Sequence, residues 1–223
     1  MAEHSMNVEI AHKLHEKKEG RLEGRLEILE AFLLAIVAVA TAWSGYQAAR
    51  WDGQSAASYA QATAYRVDGD NSITIGGEER LQDVSTFNTW LLAKSSGNEK
   101  MAGLLERRFS EDYEPAFRAW LAADPFNDPK APPGPAFMPE YHNHLEKEGF
   151  ELRHQATEAF ELGRTSREIG EDYVRLTVFL ATILFMVAIA QRFEHRLPRF
   201  GLLGIAAIGM GVTAILLIIY PQV

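Results

Sequence analysis

The spacing best suited to chemistry in this sequence is Asp68-Gly-Asp70-Asn-Ser72-Ile-Thr74-Ile75-Gly-Gly-Glu78-Glu79. Oxygen-bearing side chains at Asp68, Asp70, Ser72, Thr74 and Glu79 fall at the first, third, fifth, seventh and twelfth places of a calcium loop, and Ile75 takes the hydrophobic eighth. A hard cation needs several converging oxygens, which is why such loops alternate short polar side chains and end on a glutamate. Ile73, however, occupies the place where a glycine makes the sharp turn. The competing reading is an ordinary turn that stops a helix, with Asp, Gly, Asn and Ser as turn formers, and the isoleucine favours it. Calcium is the one cofactor these residues suggest.

A second group of candidate ligands is His142, His144 and His154, with Glu140, Glu146, Glu148, Glu151 and Glu158 nearby. A two-residue spacing puts histidine rings on different helix faces, whereas a helical metal site uses a four-residue step. Pairs such as His144 with Glu148, or His154 with Glu158, read more simply as surface hydrogen bonds. No glycine-rich phosphate loop, nucleophile elbow or Ser–His–Asp spacing is present, so a non-enzymatic protein is expected. The chain has no cysteine, which removes thiolate chemistry and disulfides. A net charge of −8 argues against a nucleic-acid partner, which needs a basic face.

The elements that carry these residues are set by three apolar runs, Ala31 to Ala49, Leu176 to Ala190 and Phe200 to Tyr220. About 20 apolar residues suffice for a helix to cross a bilayer. Tyr173, Val174 and the stem of Arg175 extend the shorter middle run. The expected fold is an all-α integral membrane protein with three transmembrane helices at 28–50, 174–191 and 200–220. Lys13, Lys17, Lys18, Arg21 and Arg25 precede the first span, and Arg192, Arg196 and Arg199 sit between the second and third. Basic flanks stay in the cytoplasm, so residues 1–27 and the loop 192–199 are expected inside. Residues 51–173 and the C-terminal end are then expected outside, periplasmic or extracellular. The segment from Arg50 to Tyr173 holds thirteen basic and twenty-two acidic residues, and is therefore acidic. Trp43, Tyr46 and Trp51 mark the interface of the first span. Ala40-Thr-Ala42 resembles a signal-peptidase site, but the long glutamate-rich region before it argues for an uncleaved span.

Small residues recur at helical spacing along the first span at Ala35, Ala38, Ala42, Gly45 and Ala49, and continue through Gly53, Ala57, Ala60 and Ala64. Gly149, Ala156, Gly163 and Gly170 form a matching stripe in the segment entering the second span. Small residues at three- and four-residue steps let helix backbones approach closely. Spans one and two are therefore expected to run on outside the membrane as an antiparallel stalk, residues 51–66 and 139–173, with Pro139 as the first helical residue of the second arm. A helix from Ile28 to Arg66 would be about 58 Å long. A small helical cap is expected at 67–138, with helices at Glu78 to Lys94, Asn98 to Phe109 and Glu111 to Ala123, and aromatic residues as its core. The repeated Gly-Arg-Leu-Glu at 20–27, with Leu14, Leu22, Leu26 and Leu29, suggests an amphipathic segment leading into the membrane.

Three runs carry a resemblance: Ala40-Thr-Ala-Trp-Ser-Gly-Tyr-Gln-Ala-Ala-Arg-Trp51, Trp120-Leu-Ala-Ala-Asp-Pro125 and Ala131-Pro-Pro-Gly-Pro-Ala-Phe-Met-Pro139. They are similar to segments of a family of bacterial inner-membrane proteins without an assigned activity. The resemblance implies an envelope setting and a multi-pass membrane location, and it transfers no functional residues. Function is expected to be self-association in the bilayer through small-residue faces as a homo-oligomer, with a cation-permeable pore as one form of it. The alternative is an envelope sensor or partner-binding scaffold signalling through the stalk. The lipid bilayer is the one partner the residues name; they identify no protein partner.

Overall fold

The computed structural model describes the backbone of residues 2–193 and 195–223, and the side chains of 24, 27–193, 195 and 197–223. Among the described residues the chain is helix and turn, without strands. It comprises α1 (Ala2–Ser95), α2 (Glu99–Glu106), α3 (Tyr113–Ala122), a 3-10 turn at Pro135–Phe137, α4 (His144–Ala190) and α5 (Arg196–Ile219). α1, α4 and α5 each contain a stretch long and apolar enough to cross a membrane. Leu14, Leu22 and Leu26, on which the expected amphipathic face of residues 1–27 depends, lie outside the described side chains.

Two compact units divide the chain, Met1–Ala56 with Gly163–Val223, and Ala57–Leu162. In the first, Val37 of α1, Leu180, Ile183 and Val187 of α4, and Ala206 of α5 form one buried apolar cluster. α4 buries the largest share of its apolar window, as a helix with neighbours on two sides should. Large side chains such as Phe32, Val39, Phe179, Phe185, Ile208 and Ile218 are exposed. In water such a surface would be an aggregation hazard; against lipid tails it costs nothing.

The second unit is built on a seven-residue repeat. Ala62, Gly69, Gly76, Asp83 and Trp90 of α1 are all buried, and Gly149 and Ala156 of α4 recur at the same interval, the period at which two helices keep one seam facing. Beyond the glycine seam, Phe87, Trp90, Ala93, Ala102, Leu105, Tyr113, Phe117 and Trp120 make an aromatic core. The Trp90 ring meets Phe117 edge-on at 4.9 Å, and Phe87 meets Trp120 edge-on at 5.0 Å. Both buried indoles are satisfied: Trp90 Nε1 donates to Glu106 at 2.8 Å and Trp120 Nε1 to the Pro132 carbonyl at 2.7 Å. α1 ends on Gly97, whose φ of 73° is the left-handed conformation that helix stops demand. Asn98 N–H then closes on Ala93 O, while the Asn98 side chain caps α2 through Met101 N–H.

Three expectations are corrected here. The turn or calcium loop at 68–79 does not form, because α1 continues unbroken to Ser95 and absorbs the helix expected at 78–94. Two of the glycines that suggested a turn, Gly69 and Gly76, are needed instead for a close helix crossing. α4 starts at His144 rather than Pro139, because Asn143 supplies the cap: its Oδ1 accepts from Glu146 N–H at 2.8 Å. The remaining helices are shorter than expected at both ends, with α2 at Glu99–Glu106 and α3 at Tyr113–Ala122.

Candidate functional site

Within a continuous helix the calcium-loop residues cannot converge. Successive even steps of two residues turn about 200°, so Asp68 and Asp70 point to opposite sides of α1, as do Ser72 and Thr74. Asp70 instead accepts from Arg153 Nε at 2.8 Å, joining α1 to α4, and Thr74 Oγ1 donates back to the Asp70 carbonyl. Glu79 belongs to a separate polar hollow with Ser110, Glu111, Asp112 and His144. Among the described residues no three histidine or acidic side chains stand where they could hold a metal.

What these residues do build is a helix contact. A Cβ on Gly149 would lie 2.5 Å from Ile73 Cγ1 and 2.6 Å from Gly69 O, and one on Gly69 would lie 2.8 Å from Gly149 O. Two helical turns further on, the Asn143 side chain takes the space a Gly76 Cβ would need and donates to the Gly76 carbonyl at 2.9 Å. Asn143 is buried, so its amide fixes the register of α4 on α1 while also capping α4. Asp112 contributes a second tie, since its Oδ2 accepts at 2.7 Å from both the backbone N–H and the Nδ1 of His144. Burial would raise the Asp112 carboxyl, but the two His144 hydrogen bonds outweigh it and hold its pKa below the ordinary value. The same hydrogen bond and the Asp112 charge raise His144. Tyr113 and Tyr141 meet edge-on, and burial pushes both phenols up.

In the other unit the small-residue expectation divides. Gly163 and Gly170 of α4 are buried, and a Gly170 Cβ would stand 3.4 Å from Trp51 Cβ. Ala35, Ala38, Ala42, Gly45 and Ala49 of α1 are exposed, and open space surrounds Gly45. The expected packing of that stripe onto α4 within one chain is therefore not made. Val37, Ser44, Gln47 and Ser55 face inward in its place. The reason is polar: Ser44 and Gln47 need partners away from lipid, whereas an alanine does not. Ser44 Oγ donates to Tyr173 O at 2.9 Å. Gln47 Oε1 accepts from Val223 N–H at 3.1 Å, and its Nε2 donates to Val223 O at 3.4 Å. Pro221 O accepts from both Trp51 Nε1 at 3.2 Å and Tyr173 OH at 3.1 Å. At the opposite end of the same helices, Arg199 holds buried Glu30.

Comparison with known proteins finds no matching family, no similar characterised chain and no similar solved structure.

Sequence reasoning missed Glu30, Asn143 and the tail contacts. A glutamate abutting an apolar run, with an arginine heading another run on the same side, was the available signal for the Glu30–Arg199 pair. Asn143-His-Leu-Glu146 carried the spacing of a helix cap. Nothing in the order of residues pointed to the tail as the partner of Gln47.

Proposed function

We propose that this chain is a non-enzymatic, multi-pass membrane scaffold that self-associates laterally through the exposed small-residue face of α1. One observation carries the reading. Ala35, Ala38, Ala42 and Gly45 stay exposed although the chain has two other apolar helices that could have covered them. A lipid-facing surface gains nothing from being small, whereas a helix–helix contact does. On this reading a second copy presents the same stripe, giving a two-fold contact. The basic flanks support a cytoplasmic side for residues 1–27 and 192–199, and the bilayer on this reading is a bacterial inner membrane. Residues 51–173 then form the stalk and cap outside it. A pore draws less support, since Ser44 and Gln47 are turned inward and hydrogen-bonded within the chain.

The test is oligomeric mass in lipid nanodiscs or mild detergent. Wild type should be a dimer or larger assembly, and Gly45→Leu with Ala38→Leu should reduce it to monomer without loss of helical circular dichroism. A monomeric wild type, or an assembly indifferent to both leucines, sinks the reading. The sensor alternative rests on α1 and α4 each contributing to both units. It would gain from a partner that co-purifies with the intact chain.

A further inference from the structure

A groove of about 340 Å³ opens between α1 and α4 beside Trp51. One end is apolar, walled by Ala48, Ala49 and Val174, and the other is charged, rimmed by Asp52, Arg167 and Glu171. Gly170 lines it between the two, where a Cβ would meet Trp51 Cβ at 3.4 Å, so the helices touch beside the furrow. From Val174 to Arg167 is about 10 Å along the helix. That is close to the depth over which a bilayer passes from acyl chains to headgroups, about 5–8 Å. Exposed Trp43 and Tyr46 lie on the same stretch of α1 and favour that depth.

The rim has two acids and one base. Arg167 Nε holds Glu171 at 3.1 Å on α4. Asp52 faces them from α1, and among the described residues it has no ion-pair partner. We propose that the groove holds a phospholipid with an ammonium-bearing headgroup of the ethanolamine class. Its phosphate lies at Arg167, its ammonium between Asp52 and Glu171, and its glycerol and first acyl carbons along Ala48, Ala49 and Val174. A glycerol headgroup carries the same phosphate but no cation, so it adds net negative charge to a rim that already carries an excess acid. A choline headgroup has no N–H to donate to the two carboxylates. The proposal uses the span assignment and not self-association, although Ala49 borders both surfaces.

The experiment is native mass spectrometry of the full chain in detergent with equimolar dioleoyl lipids carrying ethanolamine, choline or glycerol headgroups, read per chain on every oligomeric species. Wild type should retain one ethanolamine lipid with a preference of about fivefold, the scale of one exposed ion pair. Asp52→Asn should abolish the preference, and Asp52→Glu should keep it. Ala49→Phe, at the exposed rim, should lower retention of all three lipids. Melting curves check that each variant folds. Equal retention of the three lipids, preference for the glycerol headgroup, or an unchanged preference in Asp52→Asn overturns the proposal. A monomeric wild type that keeps the preference would refute self-association and leave the lipid site standing.

Discussion

Arg199 grips Glu30 with both arms of its guanidinium, Nε to Oε1 at 2.7 Å and Nη2 to Oε2 at 2.8 Å. The pair joins the start of α5 to α1 at one end of the candidate spans, and the Glu30 side chain is only 2 % exposed. A charge so placed is tolerated because it is paired, and the forked geometry is one lysine cannot reproduce. Arg199→Ala should therefore cost about 3–5 kcal/mol by stranding the carboxylate. Replacing both residues by methionine should recover most of that loss, because the desolvation of two ions disappears with them. Unfolding in mixed micelles measures both. A double variant as unstable as Arg199→Ala would show that the contact works through something other than the buried charge.

The Gly69–Gly149 crossing makes a sharper prediction, because the obstructing atom is backbone. Gly149→Ala places a methyl 2.6 Å from Gly69 O, which cannot move without shifting α1. The expected cost is about 1–3 kcal/mol. Gly77 lies in the same helix as Gly69 with open space around it. Gly77→Ala should stabilise by up to about 1 kcal/mol through helix propensity alone. Thermal melts of the two variants should move in opposite directions, and equal shifts would refute the crossing.

These glycines show where the sequence was legible and where it was not. The small stripe of α4 could be read because Gly149, Ala156, Gly163 and Gly170 stand at a strict interval of seven. On α1 the small residues are abundant enough to mark two faces, and composition cannot say which face turns inward. Burial of Ser44 and Gln47 settles it through hydrogen bonds, and those depend on Tyr173 and Val223, far away in sequence. The calcium-like spacing failed for a related reason. Gly69 and Gly76 look like turn residues locally, yet a facing helix gives their missing side chains a use. The three apolar runs were readable because span length is set by the bilayer rather than by any partner.

The Asp112–His144 contact gives stability a pH dependence. His144 is raised above its ordinary value of 6.5, chiefly by the Asp112 hydrogen bond and charge, with Glu79 and Glu148 adding to it. A raised histidine contributes fully below its unfolded value and loses that contribution as pH rises through its folded one. Asp112 is lowered below 3.8, so its share is present above that value and is lost as pH falls through the folded one. The pair is thus strongest between about pH 4 and 6.5. The backbone N–H of His144 keeps its own bond to Asp112 throughout. The melting temperature of wild type minus that of His144→Ala should shrink as pH rises from 6.5 to 9. A difference that stays constant across that range would remove the protonated ring from the account.

Gln47 and Val223 exchange two hydrogen bonds in the manner of a backbone pair, with the Gln47 side chain fully buried. Replacing Gln47 by leucine keeps the volume and removes both bonds, leaving a backbone N–H and C=O at position 223 without protein partners. The Val223 amide reports this directly. Its hydrogen exchange should quicken about five- to tenfold in Gln47→Leu, the scale of one net hydrogen bond. Trp51→Phe should have a smaller effect on the tail, because Tyr173 OH still donates to the carbonyl of Pro221 that Trp51 Nε1 gives up. If Val223 exchanges equally fast in wild type and Gln47→Leu, the tail is not held by Gln47, and the inward turn of that side chain would need a different cause.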